Sequence, residues 1–99
     1  MRSVILSREA ELDLDQIAGY TMEAWGTRQA DAYLTKLEDG FLLLTVQPHL
    51  GRSCDEIRAR LRRFEIERHI VFYENLEDAV LIVRVLHQKM LAVPARFEP

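Results

Sequence analysis

Ala79-Val80-Leu81-Ile82-Val83-Arg84-Val85-Leu86 carries one polar side chain in an otherwise apolar, β-branched run. A short segment that is apolar at both odd and even positions reads as a central strand covered on both faces. Arg84 is the exception. Burying an unpaired guanidinium is too costly to be tolerated, so Arg84 is expected to be either a buried ion-pair partner or a site residue.

Working back from this strand, Asn75-Leu76-Glu77-Asp78 supplies a turn, and His69 to Glu74 and Leu61 to Glu67 form two further strand-like runs separated at Arg68. Three strands joined by tight turns make an antiparallel meander. Upstream the period becomes helical. Ala30, Tyr33, Leu34, Leu37, Phe41 and Leu44 recur at three- and four-residue steps, and Pro48 with Gly51 ends that helix in a loop. Gly40 within it costs about 1 kcal/mol relative to Ala, which predicts that another backbone approaches closely there.

An earlier helix places Ala10, Leu14, Ile17, Ala18, Thr21, Met22 and Trp25 on one face and Asp13, Asp15, Gln16 and Glu23 on the other. Ser7 is its expected N-cap, Gly26 its stop, and Thr27 the cap of the next helix from Arg28. A two-residue link implies an antiparallel helical hairpin. Val4-Ile5-Leu6 adds an N-terminal strand. The expectation is one α+β domain over 1–99 in the order βααβββ, a helical hairpin on a small, mainly antiparallel sheet. The helices cover one sheet face; the C-terminal tail, a second subunit or a partner must cover the other. Leu42, Leu43 and Val46 exceed the needs of one buried stripe and predict a second contact surface.

Composition narrows the function classes. The chain has 99 residues, 48% of them hydrophobic and 29% charged, with a formal net charge of −3. That balance fits a globular fold and argues against a general coat for nucleic acid, which needs a basic face. No apolar run is long enough to span a membrane, and charge arrives too early for a secretory leader, so a cytoplasmic protein is expected. The single cysteine, Cys54, cannot close an internal disulfide. His49, His69 and His87 lack metal-ligand spacing, and the glycines are too scattered to cradle a phosphate, so neither metal nor cofactor is expected. Arg58, Arg60, Arg62, Arg63 and Arg68 form a local basic patch. It is either a solvated strand face or a surface for an acidic partner.

Several strings carry a resemblance: Trp25-Gly26 with Gln29-Ala30 and Tyr33, Pro48-His49-Leu50-Gly51-Arg52, His69-Ile70-Val71-Phe72-Tyr73, and Ile82 through Met90 with Arg84-Val85-Leu86-His87 at its centre. In this order and spacing the sequence resembles ParE-type toxins of the RelE/ParE toxin–antitoxin superfamily over almost its whole length. The resemblance implies a RelE-like fold, neutralisation by a ParD-like antitoxin in a higher-order complex, and growth arrest through DNA gyrase, with no direct nucleic-acid binding by the toxin alone. The RelE branch shares the fold but cuts messenger RNA on the ribosome, and a non-toxic adaptor would show the same pattern.

RNA cleavage requires a base, an acid and cations for the developing phosphate charge. Arg84, His87 and Tyr73 are the candidates for such a set. Strict alternation would put Arg84 and His87 on opposite sheet faces unless the strand bulges or ends between them. The sequence therefore leans towards a binder. Target-contact candidates are Arg84, His87, Lys89, Met90 and Phe97, in an apolar, proline-restricted tail with Leu91 and Val93; antitoxin-contact candidates are Leu42, Leu43, Val46, Arg58, Arg60 and Arg62.

Overall fold

The computed structural model describes residues 2–90 and 92–97. Strand β1 (Ser3–Leu6) leads into helices α1 (Arg8–Trp25) and α2 (Thr27–Val46). Strands β2 (Arg52–Ser53), β3 (Arg62–Ile66), β4 (His69–Asn75) and β5 (Ala79–His87) follow, and a 3-10 turn, Pro94–Phe97, ends the described chain. The sheet order is β1-β5-β4-β3-β2. β1 pairs with β5 in parallel and every other pair is antiparallel. The α+β hairpin-on-sheet architecture expected from sequence is present, with the two-residue β2 as an addition too short to leave a periodic signal.

Ser7 caps α1 as expected. Its Oγ accepts from Ala10 N–H at 3.0 Å, and Glu9 and Glu11 lie in the first turn, where negative charge complements the free N–H groups. Gly26 adopts φ 90°, a conformation that L side chains rarely take, and its N–H returns to Met22 O. Here the expectation needs correcting. Gly26 is at once the stop of α1 and the cap position of α2, Thr27 is already helical, and no side chain caps α2. A one-residue link suffices because glycine alone makes the turn.

The helices bury Ala10, Ile17, Leu37, Phe41 and Leu44 against Val71, Tyr73, Val80, Ile82 and Val85 of the sheet. Two members of the expected α1 stripe are instead exposed, Met22 by 50% and Trp25 by 64%. Asp13, expected on the solvent face, is buried. Positions 10, 13, 17 and 21 are the α1 residues that are buried, so the stripe runs through Asp13. The close approach at Gly40 is also real but comes from a side chain. A Cβ there would lie 2.1 Å from Ile66 Cδ1, not against backbone.

A second core lies on the other face of the sheet. Cys54 and Leu61 from the β2–β3 loop, with Phe97 from the C-terminal turn, pack on Ile70, Phe72, Val83 and Leu86. Phe97 meets Phe72 edge-on, with ring centroids 4.9 Å apart. The tail thus covers the face left open by the helices, with the β2–β3 loop beside it. Leu91, which the sequence reading placed in that tail, lies outside the described residues.

A β-bulge in β5 sets which residues face which core. Phe72 pairs with Arg84 but Tyr73 pairs with Ile82, leaving Val83 as the extra residue. Val80 and Ile82 lie in the helix-side core; beyond the bulge it is Val85 that returns there, while Val83 and Leu86 join the opposite core. Without the bulge, Arg84 would follow Val80 and Ile82 into the helix-side core.

Candidate functional site

β1 ends at Leu6, opposite Ile82, so the outer edge of β5 beyond this point has no strand beside it. Side chains of α1 and its cap take the place of that strand. Ser7 Oγ donates to Val83 O at 2.7 Å, and the Asp13 carboxylate accepts from Val85 N–H at 2.9 Å. Asp13 also receives Arg84 Nε and Nη2, each at 2.8 Å. This is a two-pronged carboxylate–guanidinium pair, with side chains only 9% and 17% exposed. Arg84 Nη1 donates to Arg96 O at 2.6 Å in the C-terminal turn. One guanidinium therefore ties α1, the end of the sheet and the tail together. The hydrogen bond to Asp13 holds the Arg84 pKa above its usual value against the opposing effect of burial.

Beside this pair lies a groove of about 560 Å³ between the helical hairpin and the end of the sheet. Tyr20 and Trp25 of α1, Tyr33 of α2, His69 of β4 and His87 of β5 are among the residues that line it. Tyr33 Oη accepts from Arg68 N–H at 3.2 Å and lies 2.6 Å from His69 Nδ1. A tyrosine hydroxyl can donate to Nδ1 or accept from it; with Tyr33 as the donor, the His69 proton is on Nε2. Burial, and then the neighbouring His87, lower the His69 pKa to about 4, with Asp13 acting in the opposite direction. His69 is therefore a neutral imidazole near pH 7. Its ring meets His87 edge-on at 5.3 Å, and the two are cross-strand neighbours. His87 Nδ1 accepts from Lys89 N–H at 3.1 Å. Burial raises the pKa of Tyr33.

The sequence-derived candidates separate into different places. Arg84 and His87 both border the groove. Tyr73 does not. It is fully buried, donates to Pro48 O at 2.8 Å and accepts from Gly51 N–H at 2.9 Å, so it fixes the loop after α2. Gly51 is required there, since a Cβ would stand 2.6 Å from both Arg63 O and Tyr73 Oη. Met90 borders the groove and is 40% exposed; Lys89 is exposed beside it; Phe97 is buried. Arg58 pairs with the buried carboxylate of Glu74 and donates to Phe97 O, while Arg62 holds Gly51 O and His49 O. Arg60 is exposed, and its backbone N–H is held by Asp55. Leu42, Leu43 and Val46 are all exposed on α2, away from its buried residues.

Asp13, Tyr33 and His69 are the groove residues that the sequence reading did not single out. Asp13 had a legible signal: it falls on the stripe 10-13-17-21, and Arg84 demanded a buried carboxylate somewhere. Tyr33 and His69 stand in two of the strings that carry the family resemblance, but their meeting depends on how α2 lies over the β3–β4 turn, which local pattern does not encode.

The groove and hairpin-on-sheet arrangement can now be set against known proteins. Residues 4–92 match the family described as ParE toxin of type II toxin-antitoxin system, parDE. The chain belongs to the ParE toxin family. As a member it is the toxin component of a type II toxin–antitoxin system. Curated ParE relatives agree. The chain is 38% identical over 87 residues to Toxin ParE1 of Mycobacterium tuberculosis, covering 87% of this chain and 89% of the relative. It is 38% identical over 92 residues to Toxin ParE1 of Caulobacter vibrioides, covering 93% and 95% respectively. For Toxin ParE of Escherichia coli the identity is 35% over 91 residues, covering 91% and 88%. The ParE fold also recurs in a solved structure titled Chromosomal ParDE TA system from P. aeruginosa. It superposes with a TM-score of 0.75 at 19% identity, covering 88% of this chain and 96% of that one. At that identity the likeness concerns the fold.

Proposed function

We propose that this chain arrests bacterial growth by binding and inhibiting DNA gyrase in the cytoplasm, and that a ParD-like antitoxin encoded beside it neutralises it in a higher-order complex. The observation that carries the binding mode is the commitment of Arg84. A ribonuclease would direct its cation at the scissile phosphate, whereas this guanidinium is engaged by Asp13 and by Arg96 O. Tyr73, a second of the three catalytic candidates, is spent on Pro48 and Gly51, which leaves His87 without either of them. What remains for a target is a contact surface at the end of β5, where Lys89 N–H donates to His87 Nδ1 and Met90 N–H to His87 O. The antitoxin takes the exposed apolar face of α2 at Leu42, Leu43 and Val46, as an amphipathic segment would; of the arginine candidates, Arg58 is engaged by Glu74 and Phe97 O on the other face of the sheet and Arg62 by the loop after α2.

The test is a supercoiling assay with purified gyrase and chain, with and without the co-purified antitoxin. The chain is expected to inhibit and the antitoxin to relieve inhibition; Lys89→Glu with Met90→Asp should abolish inhibition in a protein that still unfolds cooperatively. Cleavage of ribosome-bound message by the purified chain would replace this reading with the ribonuclease one. Absence of both activities, with antitoxin binding retained, would leave an adaptor.

A further inference from the structure

The groove between the helical hairpin and the end of the sheet has an unusual balance of hydrogen-bonding groups. His69 Nδ1 is occupied by Tyr33 Oη and His87 Nδ1 by Lys89 N–H. With Tyr33 donating to His69 Nδ1, both neutral imidazoles carry the proton on Nε2, and neither Nε2 has a protein acceptor among the described residues. Two N–H donors thus stand side by side, on rings 5.3 Å apart, along one wall of the groove. The charges are equally one-sided. The two carboxylates that line the groove already have partners, Asp13 with Arg84 and Glu67 with Lys36 at 3.3 Å. Arg68, also in the lining, has no ion-pair partner among the described residues. One net positive charge and the two imidazole donors border the groove, with the Gln16, Thr21 and Gln29 side chains also in its lining.

Apolar and aromatic side chains make up much of the remaining lining. Ile17 is buried in the lining, and Tyr20 and Trp25 border it while 71% and 64% exposed. Large exposed aromatic side chains beside unpaired polar groups are the composition of an interface anchor.

We propose that this groove receives a carboxylate side chain, Glu or Asp, carried between apolar residues on a segment of the antitoxin, with His69 Nε2–H, His87 Nε2–H and Arg68 as its recognition set and Tyr20 and Trp25 as the walls that exclude water around it. This rests on the antitoxin reading above and adds a second anchor to the apolar one on α2. Charge complementarity selects the occupant. An acidic group gains the Arg68 charge and both imidazole donors at once, whereas a basic or purely apolar segment would leave all three without partners. Tyr33 acts as a positioning residue, because by donating to Nδ1 it keeps the His69 proton on Nε2.

The experiment uses the full chain labelled with 15N at histidine, titrated with the antitoxin encoded beside it, and follows the imidazole nitrogens by NMR. Binding is expected to move the Nε2 signals of both His69 and His87, and to raise the His69 pKa from about 4 by about 1 or more, because a carboxylate at this distance favours the protonated ring. His87→Phe, which keeps an aromatic ring against His69, is expected to weaken the complex at least tenfold. Replacing the antitoxin's acidic residues one at a time by their amides should reveal one position with the same loss, and that loss should vanish in the Arg68→Gln chain. A tight complex with unmoved imidazole nitrogens, or one in which every amide replacement keeps full affinity, overturns the groove assignment and leaves the antitoxin reading standing. Failure to form any complex overturns both. Should His87→Phe not fold, the nitrogen signals of the unsubstituted chain still decide the matter.

Discussion

Replacing Asp13 by Ala removes the acceptor of Arg84 Nε, Arg84 Nη2 and Val85 N–H in one step. Breaking a buried ion pair by deleting one partner costs about 3–5 kcal/mol, because the surviving charge is left without compensation. Losing the acceptor for a buried N–H would add about 1–3 kcal/mol if the terms were independent. They are not independent, since water reaches the partly exposed guanidinium once the carboxylate is gone. A net loss of about 3 kcal/mol is therefore expected, which for a chain of this size lowers Tm by about 12–24 °C. Urea denaturation followed by the fluorescence of Trp25 and by far-ultraviolet circular dichroism measures it. The control is Arg84→Met alone and combined with Asp13→Ala. Once both charges are absent, the remaining cost is the unpaired Val85 N–H and the lost bond to Arg96 O. The double variant should then be more stable than the sum of the single effects allows by about 2 kcal/mol. A loss below 1 kcal/mol for Asp13→Ala, or strict additivity in the cycle, would refute the claim that this pair joins α1 to the unpartnered edge of β5.

His69 has a folded pKa of about 4 against 6.5 when unperturbed, so the unfolded chain takes up its proton first as pH falls. Its contribution is complete above pH 6.5 and is lost on acidification towards pH 4, by about 1–2 kcal/mol after allowance for solvent screening; His69→Gln should flatten the urea midpoint across that window, and an unchanged slope would show that burial does not hold the ring neutral. Tyr73→Phe should cost about 1–3 kcal/mol by freeing the Gly51 N–H and Pro48 carbonyl, while, on the gyrase proposal, the folded variant keeps whatever inhibition of supercoiling the parent has; loss of activity without loss of stability would return Tyr73 to the functional site.

Much of the architecture was written in local pattern. The period-two meander, the two amphipathic helices, the Ser7 cap and the Gly26 stop each depend on residues near one another in the chain, and each appears in the structure. Arg84 was recognisable as a charge that needs either a partner or a task, because the solvation cost of a guanidinium does not depend on the fold around it. The family strings added the toxin identity, which element order alone could not supply.

The groove was decided elsewhere. Strict alternation along β5 would have sent Arg84 into the helix-side core with Val80 and Ile82, and the extra residue Val83 reverses this. The bulge turns Val85 into that core and sets His87 beside His69 at the groove, while Arg84 reaches Asp13 and the tail. Nothing in the local sequence marks Val83 as the bulged residue, since a valine there suits either register. What favours this register is a set of contacts made across long stretches of chain: the Asp13 carboxylate on Arg84 and Val85 N–H, the Ser7 hydroxyl on Val83 O, and Leu86 against Phe72 and Phe97. Sequence determined that a charged residue had to be accommodated in the central strand; tertiary structure decided how, because burial energies are summed over partners that the chain brings together only when it folds.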